Sequence, residues 1–380
     1  MGAKCIVGGD IVTPLETIPR GAILIEDNLI EAIGPTDEIV VPDECQVIEA
    51  YGQRVLPGLV DLHIHGLEGK EVTDVDAAAI PLELLRHGVT SFQATVAAGP
   101  LDEMMKSVAR LSQLRDAPGA KFVGIHLEGP YLSPRRAGVL NRSCFRKPNI
   151  DELANLVRAS EGTVRMVTLA PELDGALELI SWLKEGGIVP AIGHSDATFE
   201  DASRAIEIGL SYATHTFNAL RGFHHREPGA LGAILTSDSV VAEIIGDGVH
   251  THPAAVSLAL RTKGSKNTCL ASDASPLAGL RPGEYRWLGQ KVIVDERSAH
   301  LPDGTLAGAT LLLDEQLAFL EKSLRVSYQQ LVEMATSTPS AVLGLRSGLL
   351  AAGRAADIAI FDSQHRCRLV MIDGNVLYSS

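Results

Sequence analysis

What most limits the folds open to this chain is a rhythm: eight short apolar runs rich in Val, Ile and Leu, separated by longer stretches of Ala, Leu and Glu. The runs are Leu59 to His65, Thr90 to Thr95, Phe122 to Glu128, Val164 to Ala170, Ile188 to His194, Tyr212 to Asn218, Ala242 to His250 and Thr268 to Asp273. Apolar runs of that length read as buried strands. The segments Asp76 to His87, Leu101 to Leu114, Ile150 to Ser160, Gly175 to Glu185 and Phe199 to Ile208 carry the spacing of amphipathic helices. Strands that alternate with helices pair in parallel, because each crossover helix carries the chain back to start the next strand in the same direction. Eight such repeats predict an α/β protein, a closed (β/α)8 barrel of the TIM type.

Outside this region the pattern changes. Residues 1–55 and 346–380 read as short strands joined by Gly, Asp and Asn turns, with no room for crossover helices. The two ends are expected to pair into one small β-sandwich domain, with residues 56–345 forming the barrel. Ser323 to Leu345 reads as a closing helical segment. The 380 residues suffice for both units, since a barrel of this kind takes roughly 250.

Composition removes several classes of function. Lys and Arg number 33 against 47 Asp and Glu, a net charge of −14, so neither a nucleic acid nor an anionic membrane is an expected partner. The five cysteines are scattered without a C-x-x-C pair, which argues against a disulfide framework or a thiolate zinc site and fits a reducing cytoplasm. No apolar run reaches the ~18 residues of a membrane span, and the N-terminus lacks a signal-peptide pattern. A phosphate-cradling Gly-rich loop, an H-E-x-x-H helix and a G-x-S-x-G elbow are all absent, which argues against a P-loop nucleotide hydrolase, a zincin protease and a serine hydrolase.

The informative feature is where the polar residues fall. Almost every run ends in His, Glu, Asp or Asn, and in a barrel those ends meet on one face, the face that carries catalytic groups. His63 and His65 are two apart on one strand, so both imidazoles point the same way. Glu128 ends the third run before a Gly-Pro turn, and His194 and His215 end the fifth and sixth. Alone, Glu128 would more often be a helix-capping or ion-paired residue, and His126, one layer deeper on the same face, reads as a histidine of the core or one that supports the ligands from behind. Together, four imidazoles and a carboxylate make a donor set for a divalent transition metal, zinc first among them, with iron, cobalt or manganese also accommodated. Asp273 ends the eighth run, placed either to move a proton beside the metal or merely to cap the next turn. Beyond the rim, the loop carrying Asn218, His224, His225 and Arg226 and the segment ending in His250 read as substrate contacts, with Arg226 able to fork onto an anionic group. A solvated basic loop is the plainer reading for His224 and His225.

The motifs PGLVDLHIHG, HLEGPYLSP, GHSDAT, THTFNAL, HHREPG, DGVH, SDA and DGTLAGA, with the closing GRAADIAIFD, stand in the order found in the N-acetylglucosamine-6-phosphate deacetylases of the amidohydrolase superfamily, which this chain resembles over essentially its whole length. The resemblance implies a metal-dependent enzyme that hydrolyses the N-acetyl group of an amino-sugar 6-phosphate. Glu128, His194 and His215 would hold the principal metal, and His63 and His65, with Glu128 bridging, a second. It makes Asp273 the general base and acid and gives His250 the orienting of the amide. Asn218 and Ala219 would lie near the phosphate, and Arg226 would reach it across a homodimer interface. Leu306, Ala307 and Gly308, within LAGA, would belong to a loop closing over the acetyl group. One departure stands out: where the family has Ala followed by a substrate-contacting His or Gln, this chain has Val139 and Leu140, then Asn141. Either Asn141 supplies that contact or the preferred sugar differs, a galactosamine analogue or another N-acylated sugar phosphate. The rival readings are an amidohydrolase acting on an unphosphorylated N-acyl compound and a scaffold that has lost catalysis, the latter disfavoured because every ligand position is retained.

Overall fold

The computed structural model describes residues 2–380. The chain opens with strands β1 (Lys4–Val12), β2 (Thr17–Glu26), β3 (Leu29–Pro35), β4 (Gln46–Glu49) and β5 (Arg54–Pro57). β6 (Leu59–Ile64) enters the barrel. After a short ribbon of β7 (Gly66–Leu67) and β8 (Lys70–Glu71) come β9 (Val89–Ala97), β10 (Lys121–Glu128), β11 (Val164–Leu169), β12 (Val189–Ile192), β13 (Tyr212–Ala213), β14 (Val241–Ile244) and β15 (Thr268–Leu270). These eight barrel strands pair in parallel in chain order from β6 to β15, as the alternation of strand and helix requires.

The crossover helices are α1 (Ile80–Leu85), α2 (Leu101–Leu111), α3 (Ile150–Ala159), α4 (Ala176–Glu185), α5 (Phe199–Ile208), α6 (Gly229–Thr236) and α7 (Pro253–Lys263). Their starts are written locally. Asn149 caps α3 by accepting from Glu152 N, and Thr198 and Asp201 form a reciprocal capping box on α5. The inner faces of the helices meet the outward faces of the strands in one large apolar cluster that includes Leu84, Val108, Leu156, Leu179 and Ile234.

The barrel closes where β6 meets β15, and there the ladder is replaced by a mixture of bonds. Asp273 N donates to His63 O at 2.9 Å and His65 N to Ala274 O at 2.8 Å. One turn deeper, the Asp61 carboxylate spans the seam, its Oδ1 accepting from Ser272 N at 3.1 Å and His63 N at 3.3 Å. β6 also slips register against β9 between Asp61 and Ile64.

After the barrel, β16 (Gly283–Trp287), β17 (Gln290–Val294) and β18 (Ala299–His300) form a small antiparallel sheet at the rim, and α8 (Leu313–Ser323), α9 (Tyr328–Ala335) and α10 (Ser337–Val342) close the domain. The sequence reading leaves this rim sheet out. Its hairpin turns at Leu288 and Gly289, both at positive φ, 49° and 75°. Leucine is a rare occupant of the first position of such a turn, so the usual Asn-Gly signal is missing.

Strands β19 (Ile358–Phe361), β20 (Cys367–Ile372) and β21 (Asn375–Ser379) return to the amino-terminal strands in the order β21-β20-β19-β5-β1-β2-β3, with β4 on β1. The two halves of the expected sandwich are one continuous sheet. β1 pairs with β4 over Lys4 to Val7 and then with β5 at Asp10 and Ile11. The sheet curls until the β2–β3 turn meets the segment before β19, with Ile30 N donating to Arg354 O at 2.9 Å. Ile6, Ile23, Ile358, Ile360 and Met371 gather inside the curl.

This sheet is tied to the barrel by charge as well as packing. Lys121, at the start of β10, donates to both oxygens of Asp357 at 3.0 Å and to Asp373 at 2.7 Å. Asp357 is only 3% exposed. Lys121→Ala leaves that carboxylate short of its charged partner, at a cost of about 1–3 kcal/mol. The expected outcome is a lower melting temperature with metal content unchanged. An unaltered melting temperature would show that the ion pair does not hold the two sheets together.

Candidate metal centre and cleft

His63 and His65 leave the end of β6 with their Nε2 atoms 3.2 Å apart. Glu128 is the last residue of β10, and its Oε1 lies 3.0 Å from His194 Nε2 and 3.1 Å from His215 Nε2, while Oε2 lies 3.5 Å from His65 Nε2. His194 and His215 face each other through Nε2 at 3.1 Å. Asp273 Oδ1 completes the group, 3.2 Å from His63 Nε2 and 3.4 Å from His65 Nε2. All six side chains are buried. His194, His215 and Asp273 lie just beyond their strands at φ of 46°, 32° and 50°. These left-handed positions cost energy and turn the side chains over the barrel mouth.

The donor atoms fall into two triads that share Glu128: His63, His65 and Glu128, and Glu128, His194 and His215, the atoms of each within 4.8 Å of one another. Proton bookkeeping tests whether a cation fits. His194 Nδ1 lies 2.8 Å from the Arg136 carbonyl, which only accepts, so Nδ1 carries the proton and the neutral ring presents a lone pair at Nε2. His63 Nδ1 likewise meets Glu243 Oε1 at 2.8 Å. Two Nε2 lone pairs are therefore aimed at carboxylate oxygens and at other imidazole nitrogens. Either each ring takes a second proton, gathering positive charge in a buried space, or a metal cation lies between them. The second fits the donor set.

Electrostatics point the same way. Burial would lower the His63 ring, yet the charges of Asp273, Glu243 and Glu128 push it up to about 10. Burial would raise Glu128 and Asp273, but the surrounding imidazoles hold both well below the usual carboxylate range. The pocket favours ionised carboxylates around positive charge.

Glu243 is the residue that sequence reasoning missed. From β14 it accepts from the His63 ring and from His215 N at 2.8 Å through Oε1, and from Tyr212 OH at 2.8 Å through Oε2, so one carboxylate orients residues on both triads. Its signal was a lone acid inside the apolar run VVAEII. His126 sits beneath His63 as a core histidine, bonded to Thr168 Oγ1 at 2.7 Å and edge-on to the His63 ring.

Above the imidazole and carboxylate cluster opens a cavity of about 410 Å³, within the usual range for a small-molecule site. Asn218 and Ala219 line it, the Asn218 Nδ2 buried without a partner. His250 lines it from the loop beyond β14, its Nδ1 held by Asp247 Oδ2 at 2.6 Å. Leu306 and Gly308 contribute from the loop after the rim sheet, whose Ala309 N donates to Asp273 O at 2.8 Å. Gly308, at φ +65°, permits that approach, since a Cβ there would fall 2.7 Å from Ser275 Cβ. Ala307 is buried behind the wall. Trp287, also unforeseen, lies across the His65 ring at 5.5 Å. Leu140 is buried in the cleft wall with Val139 and Trp287.

Two residues fall elsewhere. Asn141 is exposed and outside the cleft lining, its Oδ1 capping the 3₁₀ turn Arg142–Cys144, so it does not replace a polar residue at Leu140. Arg226 is exposed, donates to His225 Nε2 at 2.8 Å and lines a separate depression with Thr198, Arg221 and Gly229. It does not line the cleft above the imidazole cluster.

Comparison with known proteins follows the same lines. The chain is 34% identical over 380 residues to the N-acetylglucosamine-6-phosphate deacetylase of Bacillus subtilis (strain 168), covering 97% of this chain and 96% of that protein. It is equally 34% identical, over 360 residues and 93% of each protein, to the N-acetylgalactosamine-6-phosphate deacetylase of Escherichia coli O157:H7. A mutant of the N-acetyl-D-glucosamine-6-phosphate deacetylase from Mycobacterium smegmatis, solved in complex with N-acetyl-D-glucosamine-6-phosphate, matches with a TM-score of 0.94 at 31% identity over 100% of both chains. Residues 54–377 match the model of the amidohydrolase family, and the chain belongs to that family.

Proposed function

We propose that this protein hydrolyses the N-acetyl group of an N-acetylated amino-sugar 6-phosphate, releasing acetate and the free amine. The observation that carries this reading is the convergence of four imidazole Nε2 atoms on Glu128, with Asp273 beside them, at the floor of a cleft lined by unpaired polar groups. His63, His65 and Glu128, and Glu128, His194 and His215, are the side chains that would hold divalent cations, zinc foremost, since nitrogen and carboxylate donors match its preferences. A divalent cation bound there would supply water activation near neutral pH and Lewis-acid polarisation of an acyl oxygen.

The remaining work belongs to the chain. Asp273, kept ionised by the imidazoles around it, takes a proton from the attacking water at its carboxylate and returns it to the departing amine. Glu243 holds the His63 ring in one orientation. Asn218 Nδ2 is a buried donor free for a substrate oxygen, and Asp247 anchors His250 beside the same space. Trp287 of the rim sheet and Thr305, Leu306 and Gly308 of the loop after it line the cleft.

A homodimer is part of the proposal. Phe223 is 61% exposed on the loop that carries His224, His225 and Arg226, an arrangement suited to burial against a second copy that would bring Arg226 towards the neighbouring cleft. The five cysteines are free thiols, which supports a reducing compartment such as the cytoplasm. Among the described residues no helix is long and apolar enough to cross a membrane.

Acetate release from N-acetylglucosamine 6-phosphate, N-acetylgalactosamine 6-phosphate and their unphosphorylated counterparts tests the reading. At least one 6-phosphate is expected to be hydrolysed with the higher kcat/KM, and because Leu140 offers an apolar wall where a hydrogen bond is absent, the two epimers separate the possible sugars. Comparable rates with and without the phosphate would redirect the assignment to an unphosphorylated N-acyl substrate.

Asp273→Asn keeps the shape and removes the basicity. Turnover should fall by ~10²–10⁴-fold, the usual share of a positioned acid or base, with metal content retained. Loss of metal in parallel with activity would make Asp273 chiefly a ligand.

A further inference from the structure

The cleft is not uniformly polar. The Asn218 amide, its Nδ2 unpartnered, and the His250 ring line it from the segments after β13 and β14. The part beside His65, at the end of β6, has a different character. There the Trp287 indole stands at a steep angle to the His65 imidazole, with ring centroids 5.5 Å apart. Trp287 packs with Val139 and Leu140 in one apolar cluster, and all three side chains are buried and line the cleft. Leu306 lines it from the loop after the rim sheet.

Segments far apart in sequence are fastened together to make this wall. Gln290 Nε2, on β17, donates to the Val139 carbonyl at 2.5 Å, which ties the rim hairpin to the segment carrying Leu140. Ala307, in the same apolar cluster, donates from its N to Ala299 O at 2.8 Å and holds the following loop against the hairpin. The Trp287 N–H lies close enough to Glu71 to oppose the upward push of burial on that carboxyl, though short of a hydrogen bond. With its one polar atom on that side, the indole meets the cleft as hydrocarbon. Sugar hydroxyls would lose water against such a surface without gaining a partner. In an N-acyl amino sugar the part free of hydroxyls is the acyl chain, which begins one bond from the carbonyl that must lie over the imidazole cluster. Trp287 borders one imidazole of that cluster, so the wall stands where an acyl chain would reach.

We infer that Trp287, backed by Leu140 and Val139, determines acyl specificity: the wall admits an unsubstituted alkyl chain, including one longer than acetyl, and rejects a hydroxylated chain of the same size. The inference rests on the N-acyl hydrolysis reading above and narrows its substrate class.

The N-propionyl and N-glycolyl derivatives of glucosamine 6-phosphate and galactosamine 6-phosphate supply the test, because the two acyl groups are nearly equal in size and differ by a methyl against a hydroxyl. The metal-loaded wild type is expected to hydrolyse the propionyl compound with a kcat/KM about 10- to 100-fold above that for the glycolyl compound, the range in which an apolar pocket resolves an added hydroxyl. Trp287→Ala and Leu140→Gln should each cut that ratio by about 10-fold. Trp287→Phe, which keeps an apolar ring, should preserve most of it. Equal rates on the two acyl groups, failure on both while the N-acetyl compound is turned over, or a ratio that neither substitution moves overturns the inference. So does a Leu140→Gln protein that changes its choice between the two sugars with the acyl ratio fixed, since the wall would then face the sugar. Calorimetric titration of the Asp273→Asn protein with the same compounds gives an arm that needs no turnover. Tighter binding of the propionyl compound supports the subsite, and equal binding overturns it. A wild type that hydrolyses none of these amides, with the propionyl compound still bound more tightly, keeps the apolar subsite and discards the sugar-phosphate hydrolysis.

Discussion

Lone pairs facing lone pairs around Glu128 are the constraint on which the rest of the structure depends. The protons on His63 and His194 are drawn away by Glu243 and the Arg136 carbonyl, which leaves their Nε2 atoms bare and directed at a carboxylate and at each other's neighbours. Such an arrangement is unstable in a buried space unless positive charge joins it. Much of the barrel's upper half serves to hold the groups there. The Asp61 bridge across the seam fixes His63 and the strand leading to Asp273 together, and Glu243 links the first, sixth and seventh barrel strands. Left-handed residues at His194, His215 and Asp273 aim the side chains inward.

The outer parts of the molecule build the walls of the cleft above that cluster. The rim sheet and the loop ending at Ala309 form one wall, and the loop is docked through backbone bonds on the Asp273 segment itself, so that wall and Asp273 are mechanically joined. The adjoining wall comes from the segment Arg135 to Arg142, pinned to the imidazole cluster by the His194 ring and to the rim sheet by the bond from Gln290 to the Val139 carbonyl. Both walls of the cleft are therefore fastened to residues of the buried cluster. The curled terminal sheet lies away from the chemistry and stabilises the barrel through apolar packing and the Lys121 ion pairs.

What the sequence made legible was whatever a short pattern encodes. The strand and helix alternation gives the barrel, period-two spacing gives the His63 and His65 pair, and the polar ends of the third, fifth, sixth and eighth runs give Glu128, His194, His215 and Asp273, which the fold gathers into one buried cluster. Residues whose meaning lies in a distant partner were opaque. Glu243 is one acid in an apolar strand, and its value appears only when β14 is set beside β13 and His63. Asn141 looked like a substitute for the polar residue absent at Leu140, but its side chain satisfies its own turn, a local competition that a motif does not reveal. Arg142 and Arg226 are both arginines in loops. Only the fold separates the one that lines the cleft from the one that does not. The rim hairpin went unseen because Leu288 occupies a position that usually advertises itself with Asn or Gly.

The account stands or falls on the claim that the buried imidazoles and Glu128 are a cation centre and not a proton-sharing network. Anomalous diffraction at the zinc edge, from crystals of zinc-exchanged protein, measures this directly. The account predicts two peaks, one among His63, His65 and Glu128 and one among Glu128, His194 and His215, at the ~3.5–4 Å separation of paired hydrolytic sites. An empty cluster in the presence of excess zinc, its imidazoles still hydrogen-bonded to one another and to the carboxylates, would contradict it.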